Sequence, residues 1–443
     1  MPNDVAQNAS VLLAFRAENV RSFRDEMEFS MLATALAEPR FVREVGWREG
    51  GHPLRVLPVA GLFGANASGK SNVLKAMGDM SGYVLHSFRR GNPTGGVQRW
   101  PFRLDNEAAQ RPSRYEIDIV LNGVRHEYGF VLDDERIIEE WAMRYPRGRA
   151  ALLFSRTGDK VEVGSAERAR THAVANLLRP NALFLSTAAS ANHPLLLPLY
   201  DWFGRNLLVA DSDTRSFRQL LTAVHMRNPA QRERILSLLH AADLSIKDVK
   251  MDLDEFDDAV RMLAEQQDGQ DVAFADPRFV FESVTCSLVH RGANHDVELA
   301  TDEESLGTLI WLGLVGPVIE VLARGSVLLA DEIEASLHPA LVAQLVRLFQ
   351  EPLTNPNRAQ LIFNSHDTTI MGDSHEDRLV GRDQIWFTEK LDDGSTRLYP
   401  LVDLDPRKHE AIAKRYLEGR YGATPILSSR EFDRVGELIA TPD

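Results

Sequence analysis

The stretch that most limits this chain is GLFGANASGKSNVLKAM, residues 61–77. The apolar run RVLPVAGLF enters it and SNVLKAMGDM, which reads as a helix, leaves it. Between them Gly64 and Gly69 frame the spacing G-x-x-x-x-G-K-S. A turn of this kind lets backbone N–H groups point inward at an anion, while Lys70 adds a positive charge and Ser71 a hydroxyl suited to magnesium. The helix that follows aims its positive end at the same spot. A nucleoside triphosphate satisfies all of these groups, so the chain is expected to hold a phosphate-binding loop between a buried strand and a helix.

Such a loop needs carboxylates to hold magnesium and orient water, and SVLLADEIEASLHP, residues 326–339, supplies them. The apolar residues Val327 to Ala330 predict a buried strand ending at Asp331 and Glu332. At that position the aspartate binds magnesium and the next glutamate polarises the attacking water. LIFNSHD repeats the design, with His366 at its strand end able to hydrogen-bond a γ-phosphate. Alone, that histidine would read as structural. The adjacent Asp367 would suit a His-Asp metal site, but no matching set of further histidines accompanies it. Upstream, ESLGT places Ser305 at the probable N-cap of a long helix, with Gly307 allowing close approach of another molecule.

Composition narrows the alternatives. The 443-residue chain has room for two or three domains. Its net charge of −14 gives an overall field that does not favour nucleic acid or an anionic membrane. The best basic stretch, HSFRRGNPTGGVQRWPFR at 86–103, reads first as a solvated loop. One cysteine, Cys286, excludes a disulfide within the chain and fits a reducing cytoplasm; it reads as a small buried strand residue. LGTLIWLGLVGPVIEVLA, 306–323, is long enough to span a bilayer. Yet it contains Pro317, Glu320 and three glycines, and it lies between two nucleotide-binding segments. It reads as a buried helix.

Along the chain, residues 12–31 alternate on both sides of NVRSF, predicting two strands joined by a bend. Residues 114–146 alternate with breaks at NG and DD, the pattern of an antiparallel meander. Residues 165–275 carry helical periodicity and many arginines, and predict a mostly helical insertion. Its acidic segment at 251–271 reads as a solvated helix face rather than a metal site. Strands return at RFVFESVTCSLVHRG and HDVELA.

Taken in order, ENVRSF, GANASGKS, ESLGT, DEIEASLHP, FNSHD, DQIWFTEK and YLEGRYGATP span almost the whole chain. This order resembles the ABC-class ATPases, whose larger relatives include the chromosome-maintenance, RecF and OLD proteins. It is most similar to compact bacterial AAA-family ATPases of the abortive-infection type. The resemblance implies an α/β fold: an ABC-type ATPase head, with a P-loop parallel-sheet core plus an antiparallel β subdomain, and a helical insertion. An N-terminal ATPase lobe would span 1–164, the insertion 165–275 and a C-terminal lobe 276–443.

Gly64, Asn66, Ala67, Ser68, Gly69, Lys70 and Ser71 would then bind ATP as Walker A. Ser71 and Asp331 would hold Mg2+, Glu332 would be the catalytic glutamate and His366 the switch histidine. Ser305 and Gly307 would form a signature that caps ATP held by a second copy, and residues 335–338 would form the D-loop. The implied partners are the chain itself, a separate toxin or nuclease, and a DNA or phage-protein trigger, with no membrane. The alternative is a DNA-repair or recombination ATPase that uses arginines 89, 90 and 103 on duplex DNA. Three departures stand out. Leu306 occupies a signature glycine position, Ala67 replaces a second loop glycine, and the Q-loop near 97–104 offers only Gln98.

Overall fold

The structure, a computed structural model, describes residues 10–48, 51–89, 91–242, 246–252, 254–258, 284–372 and 378–425, with Arg261, Glu376 and Arg434. The apolar run before the phosphate loop becomes Val59–Gly64, an inner strand of a six-stranded sheet. In spatial order that sheet is Leu207–Ala210, Val327–Ala330, Gln360–Asn364, Val59–Gly64, Ile385–Lys390 and Thr396–Pro400. The first five strands are parallel, and the last turns back antiparallel.

Covered on both faces, these strands bury apolar side chains alternately into two cores. Val327, Leu329, Ile362, Ala60 and Leu62 enter one core, while Leu328, Ala330, Leu361, Phe363, Val59 and Phe63 enter the other. This is why they read as unbroken apolar runs rather than alternating ones.

The first core is closed by a seven-stranded antiparallel sheet. Its spatial order is Lys160–Val163, Ala151–Thr157, Ile137–Arg144, Val124–Leu132, Ser113–Leu121, Val11–Glu18 and Met27–Ser30. The predicted NG break is the turn Asn122–Gly123, with φ of 51° and 73°. Two left-handed residues in succession give the hairpin turn whose twist matches its strands. Helix Lys70–His86 buries Val73, Leu74, Met77, Met80 and Val84 in this core. The phosphate loop is thereby held between two packed elements.

The second core receives helices Pro339–Gln350 and Leu306–Arg324. The latter contains Pro317, which has no N–H to offer Gly313 O one turn back. Arg218 Nη1 donates to that carbonyl instead, at 3.1 Å. Gly316 permits close contact with helix Arg215–His225: a Cβ there would meet Thr222 Oγ1 at 2.4 Å. Length and hydropathy alone would let helix Leu306–Arg324 cross a membrane, but its most apolar window is 56% buried within the protein. It serves as a core helix.

The stretch 165–275 departs from the expected insertion. Helices Arg168–Ala175, Phe184–Ser190, Leu197–Arg205, Arg215–His225 and Pro229–Ala241 are present. Between them, however, Leu207–Ala210 joins the edge of the central sheet parallel to Val327–Ala330. A four-residue apolar run between arginine-rich helices is too short for its period to show, and tertiary pairing decides it. Ile246–Met251 forms a further sheet with Cys286–Arg291 and Asp296–Ala300. Cys286 is buried there, which pushes its thiol up to about 11. Residues 262–275 of the expected insertion, with most of the acidic segment, lie outside the described residues.

Candidate nucleotide site

Strand Val59–Gly64 delivers the loop, and Gly69, at φ 105°, starts the helix. A Cβ on Gly64 would meet Thr388 O at 2.4 Å, and one on Gly69 would meet Thr396 Oγ1 at 2.3 Å. Close approach excludes side chains at both, and at Gly69 the left-handed backbone adds a second reason. Ala67 is also left-handed, at φ 60°. A methyl group tolerates this for about 1 kcal/mol, so the missing glycine does not forbid the loop.

The loop is braced from below. Ser68 Oγ lies 2.6 Å from Thr388 Oγ1. Thr396 Oγ1 lies 2.9 Å from Ser68 O and 2.8 Å from Ser22 Oγ. Asn72 Nδ2 also donates to Ser22 Oγ, at 2.8 Å. The bend ENVRSF and the hairpin Ile385–Pro400 therefore bear directly on the phosphate loop.

At the loop's inner end, Lys70 Nζ donates to Gly64 O and Ala65 O, both at 3.0 Å. Burial pushes its ammonium below the ordinary lysine range, while Glu334, Glu332 and Asp331 pull it back up. A cation held by loop carbonyls and half relieved by carboxylates gains from an arriving polyphosphate. Ser71 Oγ donates to Asp331 Oδ1 at 2.8 Å across 260 positions of sequence. This hydroxyl and carboxylate form the hard-oxygen pair that suits Mg2+.

Asn364 completes this end, and sequence reasoning missed it. Its Nδ2 donates to Asp331 Oδ1 and, at 3.1 Å, to Ser71 Oγ, while its Oδ1 accepts from Glu332 N. The available signal was an amide closing the apolar run Leu361–Phe363, one step before the serine that precedes His366. Glu332 itself is exposed, with a left-handed φ of 52°.

His366 is exposed at the next strand end, and its N–H donates to Glu334 Oε1 at 2.5 Å. Burial first, then the charge of Lys70, holds its imidazole below the usual histidine value, against Glu334 and Glu332. Near neutral pH the ring is therefore uncharged and able to donate from one nitrogen. Asn66 and Ala67 are exposed at the loop tip, while Ser68 is buried.

Ser305 caps its own helix: its Oγ accepts from Thr308 N at 3.1 Å. It is exposed, next to Leu306 at 48% exposure. Gly307 backs onto the loop after Glu332, where a Cβ would meet Ser336 O at 2.7 Å. Among the described residues, no hydrogen bond or ion pair joins Ser305 or Gly307 to loop 64–71. The structure thus brings Lys70, Ser71, Asp331, Glu332 and His366 into one neighbourhood, and sets Gly307 against the loop that follows Glu332 with Ser305 exposed beside it. Gln98 has an exposed side chain and offers its carbonyl to Tyr83 OH at 2.6 Å. Arg89 and Arg103 are exposed, and Arg90 lies outside the described residues.

Residues 59–372 match the model of the family described as "AAA domain, putative AbiEii toxin, Type IV TA system". No curated protein matches the chain. Similar solved structures include an Smc head bound to the C-winged helix domain of ScpA. It has 13% identity and a TM-score of 0.41, covering 89% of this chain and 99% of that one. Another is an Smc head with an extended coiled coil bound to the C-terminal domain of ScpA, derived from Pyrococcus furiosus. It has 11% identity and a TM-score of 0.37, covering 89% and 98%.

Proposed function

Because the chain belongs to this AbiEii-type AAA-domain family, matched over residues 59–372, we propose that it binds and hydrolyses ATP with Mg2+ in the cytoplasm. ATP-driven dimerisation would act as the switch that controls a separate toxin or nuclease in anti-phage defence. The observation that carries the reading is the Ser71–Asp331 contact, which joins the phosphate loop to the acidic strand end.

In this reading the loop N–H groups and Lys70 grip the phosphates. Ser71 and Asp331, steadied by Asn364, would hold Mg2+, which would supply positive charge against the phosphates. Water attacks the γ-phosphorus, the bond to the β–γ bridging oxygen breaks, and Glu332 accepts the proton lost by water. A neutral His366 donates to a γ-phosphate oxygen as charge shifts. The exposed Ser305 and Leu306 suit a surface that a second copy would bring over the nucleotide.

The test is particle mass by light scattering, for wild type and Glu332→Gln, with and without ATP and magnesium, alongside phosphate release. ATP should enlarge the particle and the variant should lock it, ready for partner capture. If wild type shows no mass change with ATP and no phosphate release, the reading fails. Salt-dependent duplex-DNA affinity lost with Arg89 and Arg103 would instead favour a repair or recombination role.

A further inference from the structure

We infer that Glu334 is a positioning residue of this ATPase, fixing the switch-histidine backbone against the acidic loop; the inference rests on the ATPase reading above. Between strand Val327–Ala330 and helix Pro339–Gln350 the chain reverses tightly. Two non-glycine residues, Glu332 at φ 52° and Ser336 at φ 55°, take left-handed conformations. Each is uphill by roughly 1–2 kcal/mol, so the surrounding contacts must hold them there. Ala335 N donates to Glu332 O at 2.8 Å, and Leu337 N to Glu334 O at 3.0 Å.

The reversal turns Glu334 back toward the end of the neighbouring strand, where Oε1 accepts from His366 N at 2.5 Å. On the histidine side, Asn364 O accepts from Ile333 N at 3.3 Å and Ser365 N donates to Leu62 O at 3.0 Å, while the residues after His366 are pinned from within. Asp367 N donates to Ser365 Oγ at 2.9 Å, and Thr369 N to Asp367 Oδ1 at 2.9 Å. The tie at His366 N carries the crossing from the acidic loop, which Ile333 N begins at Asn364 O, onto the histidine itself.

The other oxygen, Glu334 Oε2, is buried and has no hydrogen-bond partner among the described residues. A carboxylate placed only to brace a loop would have both oxygens satisfied, because an orphaned one is costly. Among the nearby carboxylates, Glu334 acts most strongly on the charge of Lys70. Glu334 thus tethers the histidine backbone with one oxygen and adds its charge to the surroundings of the loop lysine. It acts through His366 and takes no proton from water.

The test uses the full chain with Glu334→Gln, Glu334→Ala, His366→Ala and the double variant Glu334→Ala/His366→Ala, each read for kcat and KM of ATP hydrolysis. Glutamine keeps an acceptor for His366 N, and alanine does not. Glu334→Ala should lower kcat up to about 100-fold, the scale of a misplaced catalytic group, with KM little changed. Glu334→Gln should retain most of the turnover. Adding Glu334→Ala to His366→Ala should cost nothing further, since both changes break one unit.

Additive losses, an unchanged alanine variant, or a glutamine variant as poor as alanine would each overturn the role. If Glu334→Ala fails to fold, the comparison of Glu334→Gln with wild type and with Glu332→Gln decides: turnover near the Glu332→Gln level overturns it. Wild type without phosphate release fails the ATPase reading itself, a result distinct from an active wild type with additive variants.

Discussion

Two clusters of buried polar groups, one in each sheet system, are built on opposite plans. In the antiparallel subdomain Glu140 is 0% exposed. It accepts from Tyr128 OH at 3.0 Å, Phe184 N at 2.5 Å and Leu185 N at 2.9 Å. Arg156 stands 3.7 Å away and donates to the carbonyls of Gly158, Ala182, Arg179 and Pro180. That cluster is closed, and it locks helix Phe184–Ser190 onto the sheet. At the nucleotide site, by contrast, Glu334 Oε2 and Asp367 Oδ2 are buried and have no hydrogen-bond partner among the described residues, and Glu332 faces outward. Of these two clusters, the one that serves the fold is satisfied within it, and the one beside the phosphate loop is left with capacity to spare.

The comparison breaks most visibly at Glu140. Its replacement by alanine leaves Arg156 buried and unpaired, and should cost about 3–5 kcal/mol in a denaturant titration. A loss below about 1 kcal/mol would show that the closed cluster is not a lock. Next comes Glu332→Gln, which should slow phosphate release by at least about 100-fold while ATP binding and thermal stability persist. A variant that unfolds instead would move Glu332 to the structural side of the divide. Asn364→Ala should raise the magnesium concentration needed for half-maximal turnover about tenfold, as loss of a supporting hydrogen bond around a metal ligand does. Unchanged magnesium dependence would restrict Asn364 to holding strand ends together.

The smallest effect is in pH. Burial lifts the Glu140 carboxyl above its ordinary value of 4.5, against Arg156 and its hydrogen bonds. The folded chain therefore binds that proton more tightly than the unfolded chain does. Its contribution to stability is complete below the unfolded value and is lost as pH rises through the folded one. The stability of wild type minus that of Glu140→Gln should decline as pH rises above the ordinary value of 4.5. A flat difference would mean the carboxyl titrates as it does in the unfolded chain.

These clusters were unequally legible in the sequence. The phosphate loop, both apolar strands and the acidic pair could be read because spacing and strand ends are local features. The antiparallel meander was equally local, down to its Asn-Gly turn. Asn364, Glu334, Ser22, Thr388 and Thr396 were not legible as site residues, because each acts on a group far along the chain. Ser22 and Thr396 meet across 374 positions, for example. Strand Leu207–Ala210 was hidden for the same reason: only its neighbour Val327–Ala330 makes four apolar residues a strand rather than a helix end. Glu140 reads as an ordinary strand charge in IIEEWAMR, although alternation sets it on one face with Ile138 and Ala142.

The place of the phosphate loop within its sheet also bears on how the chain is made. Strand Val59–Gly64 lies between Gln360–Asn364 and Ile385–Lys390, both synthesised long after it. Ser71 must wait 260 positions for Asp331. At roughly 5–20 residues per second, the nascent loop spends on the order of tens of seconds without the strands that shape it. During that interval an apolar strand with two open edges needs shelter from neighbouring ribosomes' products. The loop gains its full set of braces only on a chain whose translation has passed the hairpin Ile385–Pro400.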